Sequence, residues 1–263
     1  MTSSEAPLVL LHRDGPVATL EINRADARNA LSFPTLMLLR EHLAALRKDD
    51  SVWVVVLTGA GEKAFCAGAD LKERRTMSEE QVKEFVRNIR GTMDDIGALP
   101  QPTIAAMNGH AFGGGCEMAL ACDLRLMVEE AMVGLTETSL GIIPGAGGCV
   151  RLPRLVGAAT AKELILTAKR VPATEAQSIG LIHETASRED WAEAIETMVQ
   201  RLLANGPLAL RAAKDAIDGS LDMPLDLALE HEANCYQRII PTSDRLEALT
   251  AFAEKRRPQF QGK

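Results

Sequence analysis

The stretch Asn108-Gly109-His110-Ala111-Phe112-Gly113-Gly114-Gly115-Cys116-Glu117 decides how this chain is read. It follows the apolar run Thr103–Met107 and leads into a second one, Met118-Ala119-Leu120-Ala121. Three consecutive glycines ahead of a helix let backbone approach a ligand closely and leave N–H groups free at the positive end of the helix dipole. Such a turn can hold a phosphate, a carboxylate or a developing oxyanion, and it can equally be a tight strand-to-helix connection. Glu117 then opens an apolar helix, where burying a carboxylate is costly unless it has a task.

On either side the same alternation repeats. Leu8–His12 and Val17–Ile22, separated by Asp14-Gly15-Pro16, read as a hairpin. Ser32 caps a helix with Pro34 in its first turn and Leu36, Leu39, Leu43 and Leu46 at helical spacing. Val52–Leu57 is a buried strand ended by Gly59 and Gly61, and Ser78 with Gln81 has the capping-box spacing of a long helix. Thr103–Met107 and Leu124–Val128 are further strands, with a short helix Cys116–Ala121 between them. Strands alternating with helices imply crossover units and an α/β fold. Beyond about Ala158 the strand signal fades, and Lys162–Leu166, Glu189–Leu203, Leu208–Ile217, Leu225–Ile239 and Ser243–Lys255 read as helices. Asn205-Gly206-Pro207 divides the chain into an α/β core, 1–204, and a helical C-terminal part, 205–263.

The totals narrow the function classes. A chain of 263 residues, 46% apolar and 25% charged, is globular and has enough apolar material for one sizeable core. A net charge of −7 argues against nucleic acid as the main partner but leaves room for an anionic small ligand held by a local basic cluster. Cys66, Cys116, Cys122, Cys149 and Cys235 are odd in number and lack CxxC spacing, which fits reduced thiols in a cytoplasmic setting. Neither a secretory signal nor a membrane-length apolar run is visible. His12, His42, His110, His183 and His231 show no HxxxH or Cys/His ligand spacing, so no metal site is expected. His110 is read as a partly buried turn residue, and Cys116 as a small buried side chain without a base to activate it.

Two more segments bear on chemistry. Cys66-Ala67-Gly68-Ala69-Asp70-Leu71-Lys72 follows a strand and a glycine turn, and its small residues allow a second backbone N–H to reach a ligand at the carboxyl ends of the strands. Glu137 stands in Gly134-Leu135-Thr136-Glu137-Thr138, just ahead of the loop Ile143-Pro144-Gly145-Ala146-Gly147-Gly148. A helix-start carboxylate is common, and neither glutamate is diagnostic alone.

Together these segments identify a resemblance. From Leu8 onward the chain resembles the crotonase (enoyl-CoA hydratase/isomerase) superfamily, on Asn23-Arg24 through Asn29-Ala30-Leu31, Cys66–Leu71, Asn108–Glu117, Cys122-Asp123 and Gly141–Gly148, all in the right order. The resemblance implies a spiral of ββα units with a helical C-terminal trimerisation region, and a homotrimer or a pair of trimers. It implies an oxyanion hole from the N–H groups of Ala69 and Gly114, a glutamate pair Glu117 and Glu137, and a water-holding N–H at Gly145. Arg24, Arg28, Ala67, Asp70, Leu71, Lys72, Phe252 and Lys255 match positions that contact the acyl-CoA. No metal or redox cofactor is implied, since coenzyme A is part of the substrate. Cys66–Arg74, Gly134–Glu137, Ile240-Pro241-Thr242 and Glu254-Lys255-Arg256 resemble the methylglutaconyl-CoA hydratase branch more closely. Ala25, Thr136 and Cys149-Val150 depart from the wider family's usual residues.

The implied reaction is addition of water across the double bond of a 2-enoyl-CoA, with Glu117 mainly activating water and Glu137 mainly protonating C2. The alternatives are a double-bond isomerase, normally served by one main carboxylate, and a non-catalytic RNA-binding or interaction protein on the same scaffold. The paired glutamates speak against the first of these, and the negative charge against the second.

Overall fold

The computed structural model describes residues 6–263. The hairpin is β1 (Val9–Asp14) and β2 (Val17–Ile22), paired antiparallel with Val9 opposite Ile22. Ser32 starts α1 (Phe33–Leu46), its hydroxyl accepting the Thr35 N–H, and Leu36, Leu39, Leu43 and Leu46 point into the core. Three turns of one pattern follow. The first is β3 (Val54–Gly59), β4 (Ala64–Cys66), a one-turn helix α2 (Leu71–Arg74) and α3 (Glu79–Gly97). The second is β5 (Thr103–Met107), β6 (His110–Phe112) and α4 (Gly114–Ala121). The third is β7 (Leu124–Val128), β8 (Met132–Gly134), a 3-10 turn Glu137–Leu140 and α5 (Gly148–Val156).

Each turn adds one strand to each of two sheets, which makes the spiral. The larger sheet has the order β1-β2-β3-β5-β7-β10 and the smaller β4-β6-β8-β9. From β2 onward the larger sheet is parallel, with Leu57 beside Ala105 and Ala105 beside Arg125. In β3 and β5 successive side chains face opposite ways, and both faces are covered. Val55, Leu57, Ala105 and Met107 join the main core, whereas Val54, Val56, Ile104 and Ala106 pack on Met198 and Val199. Two-sided burial is why these strands read as unbroken apolar runs. Fully burying each Val, Ile or Leu stabilises the fold by about 1.5–3 kcal/mol before entropy is counted.

The chain continues through α6 (Ala158–Leu166), β9 (Val171–Pro172), α7 (Ala173–Ser178), β10 (Glu184–Ala186) and α8 (Trp191–Leu203). It ends with α9 (Pro207–Ser220), α10 (Leu225–Gln237) and α11 (Ser243–Glu254). The strands β9 and β10 correct the expectation that strand structure stops near Ala158: two or three residues show no periodicity, and they are held by partners on β8 and β7. After Asn205-Gly206-Pro207, α9 is tied to the core by Lys214 Nζ on Asp123 at 2.7 Å and Arg211 on the Val52 carbonyl at 2.9 Å.

Asn108 shows how the turns are stitched. Its amide donates to the Gly59 and Gly61 carbonyls at 2.6 and 2.5 Å, and its Oδ1 accepts from the Gly59 N–H. A Cβ on the neighbouring Gly109 would stand 2.6 Å from Ala64 N, so only glycine lets the two sheet crossings touch. Asn29, fully buried and left-handed at φ 56, does the same from the other side, donating to the Ala60 and Ala64 carbonyls.

Candidate active site

A cleft of about 600 Å³ opens where these crossings converge. Its floor is backbone. Ala69 forms a lone parallel bridge with Leu31, in which Leu31 N–H donates to Gly68 O and Asp70 N–H to Leu31 O. That pattern leaves the Ala69 N–H out of the ladder. Gly114 is the first residue of α4, so its N–H has no acceptor within the helix. The two segments abut: a Cβ on Gly114 would lie 3.6 Å from Ala69 N, and one on Gly68 would lie 3.1 Å from Gly114 N. Gly68 at φ 92 and Gly113 at φ 52 adopt backbone that favours glycine, which is how both turns fit.

Two carboxylates complete the cleft. Glu117, 2% exposed, projects from α4, and its Oε1 accepts the N–H groups of Ala146 at 2.7 Å and Gly148 at 2.9 Å. Burial raises its proton affinity, and those two N–H groups with Arg151 oppose the rise. Arg151 also fixes the loop by donating to the Ala146 carbonyl at 3.0 Å and to Asp94 at 2.9 Å. Glu137 is buried at the start of the 3-10 turn, with Oε2 unpartnered among the described residues. Burial, reinforced by the charge of Glu117, lifts its carboxyl to about 7. Gly113 makes room for it, since a Cβ there would stand 3.1 Å from Glu137 Oε1.

Of the residues singled out in the sequence, the cleft brings together Ala67, Ala69, Leu71, Gly114, Glu117, Glu137 and Gly145. Arg28 lines an adjoining recess that shares Ala67 and also holds Lys63 and Arg188. Arg24 and Asp70 turn to one another at 2.9 Å, and Arg24 also donates to the Ala30 carbonyl. Asp70 caps α2 by accepting the Lys72 and Glu73 N–H groups. This makes Arg24 and Asp70 a brace for the Ala69 turn rather than part of the wall. Lys72 is exposed outside the cleft, as are Phe252 and Lys255 at the end of α11.

Sequence reasoning missed the α3 wall, Val82, Phe85, Val86 and Ile89, because spacing of this kind reads as ordinary core packing. It also missed the Ala146 and Gly148 donors, which only the folded loop aims at Glu117. His110 is exposed at the start of β6 rather than partly buried in a turn, and its Nδ1 accepts the Met132 N–H at 3.0 Å. Burial pushes the Cys116 thiol far up, which removes it as a nucleophile.

Backbone donors facing two buried carboxylates in an apolar cleft define a site for acid–base chemistry on a substrate that develops oxyanion charge. Residues 12–263 match the family model for enoyl-CoA hydratase/isomerase, and the chain belongs to that family. It is 47% identical over 254 residues to the human mitochondrial enoyl-CoA hydratase domain-containing protein 2, covering 95% of this chain and 87% of that one. The human mitochondrial methylglutaconyl-CoA hydratase is 44% identical over 250 residues, 94% of this chain and 74% of that one. The crystal structure of enoyl-CoA hydratase from Bacillus anthracis superposes with a TM-score of 0.95 at 46% identity, covering 97% and 100% of the two chains. The spiral of ββα units with a helical C-terminal region is therefore the fold of this family.

Proposed function

We propose that this protein is a hydratase that adds water reversibly across the 2,3-double bond of a 2-enoyl-CoA thioester. The observation that carries the reading is the pair Glu117 and Glu137, both buried in the wall of the cleft that holds the Ala69 and Gly114 N–H groups. As water oxygen bonds to C3, the electrons of the double bond move toward the thioester carbonyl. The Ala69 and Gly114 N–H groups stabilise the resulting enolate oxygen, and the enolate collapses as C2 takes a proton. Glu117, held as an acceptor by Ala146 and Gly148, orients water and removes its proton. Glu137, with its carboxyl lifted to about 7, carries the proton delivered to C2. Gly145, on the same loop, lends an N–H to the water. A double-bond isomerase needs one carboxylate for its proton shuttle, so the second buried glutamate favours hydration.

The finer substrate proposed is 3-methylglutaconyl-CoA. Similarity to methylglutaconyl-CoA hydratase supports it, and so does Arg74. This guanidinium lines the cleft beside the apolar α3 side chains, lies 5.7 Å from the Phe85 ring centroid and has no carboxylate within ion-pair distance among the described residues. An acyl group ending in a carboxylate would supply the missing partner.

Arg28 and its recess take the CoA nucleotide in this reading, with Phe252 and Lys255 reaching a neighbouring subunit's CoA. Substrate CoA is the handle, and no further cofactor is proposed. The helical part, 205–263, leaves Leu225, Leu227, Leu229, Leu249 and Phe252 exposed, apolar surface suited to self-association in a homotrimer or pair of trimers. No helix among the described residues is long and apolar enough to cross a membrane. Free thiols support a reducing compartment, here the cytoplasm. The test follows loss of conjugated thioester absorbance with crotonyl-CoA and 3-methylglutaconyl-CoA, for wild type and the Glu117→Gln/Glu137→Gln double variant. Turnover that disappears in the variant is expected. No turnover of either substrate by folded wild type would overturn the reading.

A further inference from the structure

A second group of chemically active side chains lies outside the cleft, where α9 packs on α10. His231 and Cys235 stand four residues apart on one face of α10, a Cys/His spacing that corrects the sequence expectation of none. Asp215 faces them from α9. His231 Nε2 is 3.7 Å from Cys235 Sγ and 3.6 Å from Asp215 Oδ1, and Cys235 Sγ is 3.7 Å from Asp215 Oδ2. A tetrahedral zinc ion, bonded at about 2.3 Å to sulfur and about 2.0–2.1 Å to nitrogen and oxygen, requires ligand-to-ligand edges of roughly 3.3–3.6 Å. Cys235 Sγ and His231 Nε2 approach different oxygens of Asp215; with one oxygen serving both, the three ligand atoms lie within 4.8 Å of one another, so the Asp215 carboxylate must turn to close the triangle onto an ion.

Two further observations point the same way. Gly219 is the penultimate residue of α9 and faces His231 on α10. A Cβ at that position would collide with His231 Nε2 and reach its Cε1 at 3.1 Å. The glycine is thus the notch that lets the imidazole seat against α9. Moreover, the cluster already attracts a cation: the Arg238 guanidinium donates to Asp215 Oδ2 at 2.5 Å and to Cys235 Sγ at 3.0 Å. Arg238 is more than half exposed and can swing into water, whereas Cys235 is buried. The Asp215 and His231 side chains are partly exposed, leaving a path for an ion and a water as fourth ligand.

We propose that Asp215, His231 and Cys235 form a binding site for a thiophilic divalent cation of the zinc type, with Arg238 as the resident cation that the metal displaces. On binding, the Cys235 thiol gives up its proton to solvent. His231 turns its Nε2 from the Asp215 carbonyl, 3.0 Å away, to the metal; the Nε2 proton is lost to solvent and Nδ1 takes one up, so the neutral ring coordinates through Nε2. The ion would tie α9 to α10. None of the three residues lines the cleft, so the site stands or falls independently of the hydratase reading.

The full chain, stripped of metal by chelation, is titrated with Co²⁺ alone and then with Zn²⁺ as competitor. One equivalent of Co²⁺ per chain is expected, with thiolate-to-cobalt charge-transfer absorption and tetrahedral ligand-field bands that Zn²⁺ removes. Cys235→Ser should abolish the charge-transfer band, and the partly exposed His231→Gln, which does not disturb a buried packing position, should weaken binding at least about tenfold. Arg238→Ala should tighten binding by about tenfold, since a charge-assisted contact of about 1.5 kcal/mol no longer competes. Absence of the charge-transfer band in wild type, or binding unaltered by both His231→Gln and Cys235→Ser, would overturn the site. Unchanged affinity in Arg238→Ala would overturn the displacement.

Discussion

Replacing Glu137 with glutamine should make the protein more stable and far less active, and the gain should depend on pH. Lifting the Glu137 carboxyl from 4.5 to about 7 makes its ionised form about 3 kcal/mol less favourable in the folded chain than in the unfolded one. Between those two values the folded chain holds a proton that the unfolded chain has released. Stability therefore falls as pH rises through the window and levels off above about 7. Below it both states are protonated and no penalty exists. Glutamine keeps the shape, never ionises and escapes the loss. Because the charge of Glu117 contributes to the rise, removing its neighbour does not reverse the sign. Urea unfolding of wild type and Glu137→Gln at fixed protomer concentration should give a gap below about 1 kcal/mol at pH 5, widening to about 3 kcal/mol at pH 8 in favour of the variant. Hydration of crotonyl-CoA should fall at least about 100-fold. A variant no more stable than wild type at pH 8, or an offset identical at both pH values, would refute the account of a carboxyl held against ionisation by burial.

Three more expectations follow from other parts of the molecule. Gly114→Pro removes one oxyanion donor, and its ring, whose Cβ would stand 2.9 Å from Ile89 Cδ1, also crowds the hole, so kcat for hydration should drop at least roughly 100-fold while circular dichroism is unchanged; a drop under tenfold would exclude that N–H. Arg74→Leu should raise KM for 3-methylglutaconyl-CoA about 10- to 100-fold, the worth of a hydrogen bond to a charged group, and leave crotonyl-CoA kinetics nearly unaltered. Equal effects on both substrates would instead assign Arg74 to packing. Arg125 is buried and donates to the Cys122 and Leu181 carbonyls at 2.6 and 2.9 Å, so Arg125→Met should cost roughly 2–4 kcal/mol in urea unfolding, with turnover per folded chain retained. A loss below about 1 kcal/mol would show that those carbonyls find other partners.

Some features were legible because they are local. Ser78 and Gln81 bond each other's backbone within one turn, so the start of α3 is written in four residues. The runs at β3, β5 and β7 announce strands covered on both faces. The short strands β4, β6 and β8 were not legible, because three residues carry no period and their pairing joins segments tens of residues apart. The same limit hides the Arg24–Asp70 pair, whose partners stand 46 residues apart in the chain.

By itself the sequence determined the chemical parts: a free N–H at a helix start within three glycines, a second after Gly68, and two glutamates in apolar surroundings. These follow from residue type and local backbone conformation. Tertiary structure decided that Ala69 and Gly114 abut, that Ala146 and Gly148 grip Glu117, and that Glu137 is dry enough to hold a proton near pH 7. It also set Asp215 against His231 and Cys235. Distance and desolvation between segments remote in the chain exist only once both sheets and the last helices have packed.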